Sequence, residues 1–302
     1  MDLLTLAQFR EYAKIFNVIP VAKRFVADGE TPLALYSKLT GNRENSFLLE
    51  SAEHGGAWSR YSFIGVNSEA TLTEKNGLAH WLGVMPAGAP SQMDPLEALN
   101  IASKHLRSPK IPGLPPLTGG LVGYMGYDAV RRLEKLPQLA TDELQLPEIA
   151  FMLTTDLAVY DHLQGTVTLI ANAINWDGSD ARVDQAYESA LSRLEVMETA
   201  LNSDTKSSVM QLPAVPRLNF ARNMESSTYK EHIASIKEEI KSGEAFQIVL
   251  SQRFTMECAA DALDVYRMLR LRNPSPYMYL FRFTDGLNIV GSSPEALVKV
   301  NE

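Results

Sequence analysis

The chain has 302 residues, 45% hydrophobic and 21% charged, which is ordinary for a soluble globular protein and long enough for about two domains. Its net charge of −8 argues against a nucleic-acid or anionic-membrane surface, which needs clustered lysine and arginine. A lone cysteine, Cys258, leaves no intrachain disulfide framework and points to a reducing, cytoplasmic compartment.

The opening MDLLTLAQFREYAKIF sets Asp2, Arg10, Glu11 and Lys14 among apolar residues, an amphipathic helix pattern rather than a signal peptide. No apolar run approaches the roughly 20 residues that span a bilayer. DGETPLALYSKL predicts a helix with Thr31 as N-cap and Pro32 at the first helical position, where a missing N–H costs nothing. SFLLES (46–51) and WSRYSFIGV (58–66) read as strands separated by the turn-like AEHGGA. ATLTE (70–74) and LAHWLGV (78–84) around KNG fit a hairpin. A helix around DPLEALNIASKHL and a proline-rich connector, RSPKIPGLPPLTGG, follow.

In GGLVGYMGYDAVRRLEKLP (119–137) the glycines lack phosphate-loop spacing. At that density within a strand they let another backbone come close. EIAFMLTTDLAVYDH and GTVTLIANAI read as two strands joined around LQG. Val183, Tyr187, Ala190, Leu194, Met197 and Leu201 then form one helical stripe, packed on a sheet or, over barely three heptads, in a coiled-coil seam. The polar, proline-bearing segment 202–219 reads as a linker that divides residues 1–210 from 220–302.

Beyond the linker, Thr228 and Glu231 fit a capping box, Tyr229, Ile233, Ile236 and Ile240 a buried stripe, and Gly243 a helix stop. EAFQIVLSQRF (244–254) reads as a strand with Gln247, Val249, Ser251 and Arg253 on one face. That face is either a solvated edge or the wall of a pocket for a polar, anionic ligand. A helix over 261–272 ends before Pro274, and RNPSPYMYLFRF (272–283) runs from a stiffened loop into an aromatic strand. In the last stretch, LNIVGSSPEALVKV, Pro294 fixes the backbone before Glu295. A single glutamate at a turn is ordinarily a surface residue. The histidines 54, 80, 105, 162 and 232 have neither zinc nor triad spacing.

GEAFQIVLSQRF, NPSPYMYLFRF and GSSPEALVKV, in this order after a helix, resemble the chorismate-binding domain, specifically that of anthranilate synthase component I. TPLALYSKL, SFLLESAE, RYSFIG and GGLVGYMGYDAVRRLE resemble the N-terminal domain of the same family. The resemblance implies an α+β fold of stacked antiparallel sheets flanked by helices. It implies that Leu49, Glu50 and Ser51 meet Pro276, Tyr277 and Met278 around the feedback inhibitor tryptophan, although both segments could be mere core strands. Glu295 would lie near the departing 4-hydroxyl of chorismate as a general acid. Relatives that add water carry a lysine at the position of Gln247. A glutamine cannot deprotonate water, whereas ammonia needs no base, so Gln247 favours amination. A glutamine amidotransferase subunit is the implied ammonia source.

Family members continue past the Glu295 motif with a histidine-bearing strand and two helices that carry the Mg²⁺ carboxylates. The expectation is therefore that the C-terminal part of the fold is missing, that the metal ligands lie beyond residue 302, and that the chain is catalytically incomplete alone. Aminodeoxychorismate synthase, or a non-catalytic tryptophan-binding module, are the alternative readings.

Overall fold

The computed structural model describes residues 3–51, 60–137, 141–204, 209 and 219–300. They form two compact units, Met1–Lys206 with Ala262–Glu302, and Ser207–Asp261. Most of the predicted linker, residues 205–208 and 210–218, lies outside the described residues. The units also differ from a linear division near 210–220, because the last forty-odd residues group with the first unit.

The first unit opens with α1 (Leu6–Ala13), β1 (Val18–Val26), α2 (Pro32–Thr40), β2 (Ser46–Glu50), β3 (Tyr61–Asn67), β4 (Ala70–Lys75) and β5 (Leu78–Gly83). It continues with α3 (Pro95–His105), β6 (Gly120–Met125), β7 (Ile149–Thr154), β8 (Asp156–Asp161), β9 (Thr166–Ile174) and α4 (Val183–Leu201). The second unit holds β10 (Ala221–Arg222), α5 (Ser226–Ser242) and β11 (Phe254–Thr255). The chain then rejoins the first unit as α6 (Ala262–Arg272), β12 (Tyr277–Arg282) and β13 (Asn288–Ser293).

Local chemistry explains many of these limits. Thr31 Oγ1 accepts from the Ala34 amide and Gly41 ends α2 in the left-handed region at φ 56, as an N-cap threonine and a C-terminal glycine should. Asn76 and Gly77 take φ of 55 and 80, the two positive values that a tight hairpin between β4 and β5 needs. The stripe of α4 is buried at Tyr187, Ala190, Leu194 and Met197. It faces the sheet rather than a coiled-coil partner.

Two antiparallel sheets stack in the first unit. One has the order β1-β9-β8-β3-β2-β12-β13 and the other β5-β4-β7-β6. Side-chain alternation divides the larger sheet cleanly. Leu48, Ile64, Ala158, Leu169, Met278 and Leu280 join residues of α1, α2, α4 and α6 in one core cluster. Phe47, Leu157, Val159, Ile170 and Phe281 meet Ala150 and Met152 of the smaller sheet in a second. Ala98 and Ala102 of α3 cover the far face of the smaller sheet. The layers are thus helices, sheet, sheet, helix, an α+β arrangement as expected.

Three sequence expectations change. EIAFMLTTDLAVYDH is two strands in different sheets, not one, and the chain crosses at Thr155. The crossing is held because Thr155 Oγ1 donates to Asn67 O (3.0 Å) and Thr155 O accepts from the Asn172 amide (2.8 Å). In the second unit, α5 starts at Ser226 with Glu225 as N-cap, so Thr228 sits inside the first turn and makes no capping box. None of the residues of α5 is buried. Finally, 244–253 is irregular rather than a strand. A strand needs a ladder partner, and within the described second unit Ala221–Arg222 pairs only with Phe254–Thr255. Phe246 and Val249 are fully or largely exposed.

Candidate functional site

The antiparallel pairing of β2 with β12 brings together residues more than two hundred positions apart, with Met278 opposite Glu50 and Tyr279 opposite Leu49. At this end of the stacked sheets a cleft of about 570 Å³ opens, touched by Leu49, Glu50, Ser51, Pro276, Tyr277 and Met278. That volume is in the range of small-molecule sites. All six residues expected to meet do meet.

Their side chains do not all face the same way, however. Odd-numbered positions of β2 and β12 point between the sheets, so Leu49, Tyr279 and Phe281 belong to the inter-sheet cluster together with Tyr61, Phe63 and Tyr124. Even-numbered Met278 is 1% exposed and packs in the helix-side core. Glu50 faces the same helix-side layer. The resemblance implies that Glu50 and Met278 meet the inhibitor, but this alternation turns both of their side chains to the helix-side layer. Both residues nonetheless border the cleft.

The cleft wall is largely aromatic. Tyr279 and Phe281 lie 5.5 Å apart between ring centroids, and Tyr61 and Phe63 6.1 Å. The Arg60 guanidinium sits 4.8 Å over the Tyr61 ring and pairs with Asp161 at 2.8 Å. Such a surface suits a planar aromatic ligand through edge and offset ring contacts. Gly123 of β6 also lines it. Ser51 Oγ is buried and has no hydrogen-bond partner among the described residues. A buried hydroxyl left unpaired costs about 1–3 kcal/mol, so this atom is poised to serve a polar group of a ligand.

Behind the cleft, Glu50 is held in a buried network. Its Oε2 accepts from Tyr266 Oη at 2.7 Å and from Arg270 Nε at 3.1 Å. Its Oε1 accepts from Ser62 Oγ at 3.3 Å, and Ser62 Oγ lies 2.8 Å from His162 Nε2. If the single Ser62 proton goes to Glu50, His162 Nε2 must donate to Ser62. Burial, followed by the Glu50 charge, drives the Tyr266 phenol far above its usual range, so it remains a donor. Sequence reasoning missed Tyr266 and Arg270. Their i, i+4 spacing on α6, a polar pair beside buried Leu263, was the available signal.

Burial lowers the His162 pKa; Arg270 adds to that, whereas Glu50 and Asp161 oppose it. Between this lowered value and the usual histidine value of about 6.5, the unfolded chain carries a proton that the folded chain lacks. Stability from His162 is therefore full above that usual value and is lost as pH falls through the window. Urea unfolding from pH 7.5 down to 5 is expected to show a steeper loss of stability in the wild type than in His162→Gln. Parallel slopes would contradict it.

The expected catalytic residues lie elsewhere. Glu295 is exposed at a bend after β13, where its carbonyl accepts from Ser293 Oγ at 3.0 Å. Gln247 is exposed on the irregular segment of the second unit. Among the described residues, no group of three or more His, Cys, Asp or Glu could hold a metal ion. These residues do not by themselves provide a magnesium ligand set. Among them, too, no helix is long and apolar enough to cross a membrane.

Residues 44–302 match the chorismate binding enzyme family. Anthranilate synthase component 1 of Mycolicibacterium smegmatis is 52% identical over 97% of this chain and 57% of that protein. The protein of the same name from Arthrobacter globiformis is 50% identical over 98% of this chain and 57% of its own length. The crystal structure of anthranilate synthase component I from Streptococcus pneumoniae superposes with a TM-score of 0.62 at 26% identity, over 82% of this chain and 53% of that one. The chain spans less than two thirds of the length of these relatives.

Proposed function

The chain belongs to the chorismate binding enzyme family, and from that membership we propose that it serves the conversion of chorismate and ammonia to anthranilate, with tryptophan as feedback inhibitor bound in the aromatic cleft. The observation that carries this reading is the meeting of Leu49–Ser51 with Pro276–Tyr277 at one cleft, lined by tyrosine and phenylalanine and offering an unpartnered Ser51 hydroxyl. An amino acid with an indole side chain suits both features. Its ring lies among the aromatics, and its ammonium and carboxylate find Ser51 and the backbone of Glu50 and Met278.

For the chemistry, Gln247 stands where a general base for water is not required, which favours ammonia as nucleophile. Glu295 is proposed as the acid that assists departure of the 4-hydroxyl. Magnesium, a glutamine amidotransferase subunit as ammonia source and a cytoplasmic setting belong to the same proposal. The relatives named anthranilate synthase component 1 favour this product over that of the folate-pathway sister enzyme.

Isothermal titration of the chain with L-tryptophan is expected to give saturable heat at a single site per chain. No heat at millimolar tryptophan would remove the effector assignment. A second reading, a tryptophan-binding module without catalysis, is favoured by one fact. Leu49, Glu50, Ser51, Pro276, Tyr277 and Met278 all lie in the first compact unit, whereas Gln247 lies in the second. Mixing the chain with chorismate, magnesium and ammonium and following anthranilate fluorescence separates the two. Fluorescence growth supports amination, and tryptophan binding without it supports the module.

A further inference from the structure

We propose that the Glu50 carboxylate is not a ligand-contacting group but a link that couples occupancy of the cleft to helix α6, with Tyr266 and Arg270 as its positioning residues. The inference rests on the reading of the cleft as a tryptophan site.

Position along β2 carries the argument. Glu50 lies between Leu49 and Ser51, whose side chains face the cleft, while its own carboxylate faces the opposite side of the sheet. A ligand that engages Ser51 or the adjoining backbone therefore acts on the segment that sets where Glu50 stands. On the other side the carboxylate has little freedom. Its side chain is 2% exposed, both oxygens accept hydrogen bonds, and two of the donors come from successive turns of α6. Tyr266 is itself fully buried, so its hydroxyl has no water to turn to if Glu50 moves. Withdrawing a buried carboxylate from such partners is costly, so a shift of β2 is passed to α6 rather than absorbed at the contact.

Tyr266 and Arg270 are thus two ties from α6 to β2. The helix otherwise packs on β12 and β13, and β12 is the second wall of the cleft. Occupancy and helix position are thus joined through two adjacent strands, and β2 contributes a charged grip through Glu50. Because coupling between two sites is reciprocal, anything that loosens the α6 end must also alter affinity at the cleft.

A simple staple between helix and sheet would add stability and nothing else. The discriminating measurement is hydrogen exchange of the α6 amides with and without saturating L-tryptophan, alongside calorimetry. In the wild type, tryptophan is expected to slow exchange in α6. In Tyr266→Phe, which keeps the ring and removes the donor, the slowing is expected to vanish and affinity to fall about 5-fold, within the usual range of coupling energies. Glu50→Gln, which keeps the shape and weakens the grip of Arg270, is expected to lie between. Should Tyr266→Phe fail to fold, Glu50→Gln alone carries the test. If tryptophan binds but α6 exchange does not respond, or responds equally in all three proteins, the link is overturned while the cleft assignment stands. If tryptophan does not bind the wild type, the cleft assignment fails first and the link with it.

Discussion

Ser51→Phe is expected to weaken tryptophan binding by at least about 100-fold, equivalent to about 2.8 kcal/mol, while leaving the fold intact. Residue 51 borders the cleft, so a phenyl ring there is expected to take up space that a ligand ring would occupy beside Tyr61, Tyr277 and Tyr279. It also deletes a buried hydroxyl at the edge of the cleft that has no partner among the described residues. Calorimetry reads the affinity and a thermal melt checks the fold. Unchanged affinity would show that the ligand sits elsewhere. Met278→Thr makes an instructive contrast. Met278 belongs to the helix-side core, so its loss should act through a cavity costing a few kcal/mol, and any loss of binding should come with a lowered melting temperature. Two substitutions that look equivalent in the sequence thus have different physical routes.

The second large effect is on stability. Gly123→Ala is expected to destabilise the first unit by about 3 kcal/mol or more, at the upper end of overpacking costs. A Cβ built on Gly123 falls 1.9 Å from Ala150 O and 2.8 Å from Phe151 Cα, both backbone atoms of the paired strand β7. Backbone in the middle of a ladder cannot swing aside as a side-chain tip can, so β6 must separate from β7 or distort. Gly29→Ala is the matched control, since a Cβ there meets nothing within 4 Å and should change stability by no more than about 0.5 kcal/mol. Denaturant midpoints compare the two directly. Equal midpoints would mean that β6 does not hold its register against β7.

Much of the architecture was legible because it is written in short-range chemistry. Thr31 with Pro32, the Asn76-Gly77 turn and the stripe of α4 each need only neighbouring residues to act, and each takes the form its sequence predicts. The glycine-rich run 119–126 was read as a place of close backbone approach, which Gly123 against Ala150 bears out. Failures came where a pattern depends on a distant partner. EAFQIVLSQRF has strand composition, but within its described unit no long strand pairs with it, and unpaired backbone does not make a strand. EIAFMLTTDLAVYDH looked continuous because both of its strands are apolar, and nothing local signals that Thr155 divides two sheets.

The candidate site divides along the same line. The aromatic strand in RNPSPYMYLFRF was legible without any knowledge of the fold, and the motif resemblance brought that strand to SFLLES. Which face of each strand meets the cleft, and therefore that Glu50 grips α6 instead of a ligand, followed only once the larger sheet was seen with helices on one side and the smaller sheet on the other. The chain's own order carries helix caps, turns and the period-two faces, since these arise from contacts a few residues apart. The partners of Glu50, 216 and 220 positions away, come from packing, because side-chain direction has functional meaning only after the layers on either side of a sheet are in place.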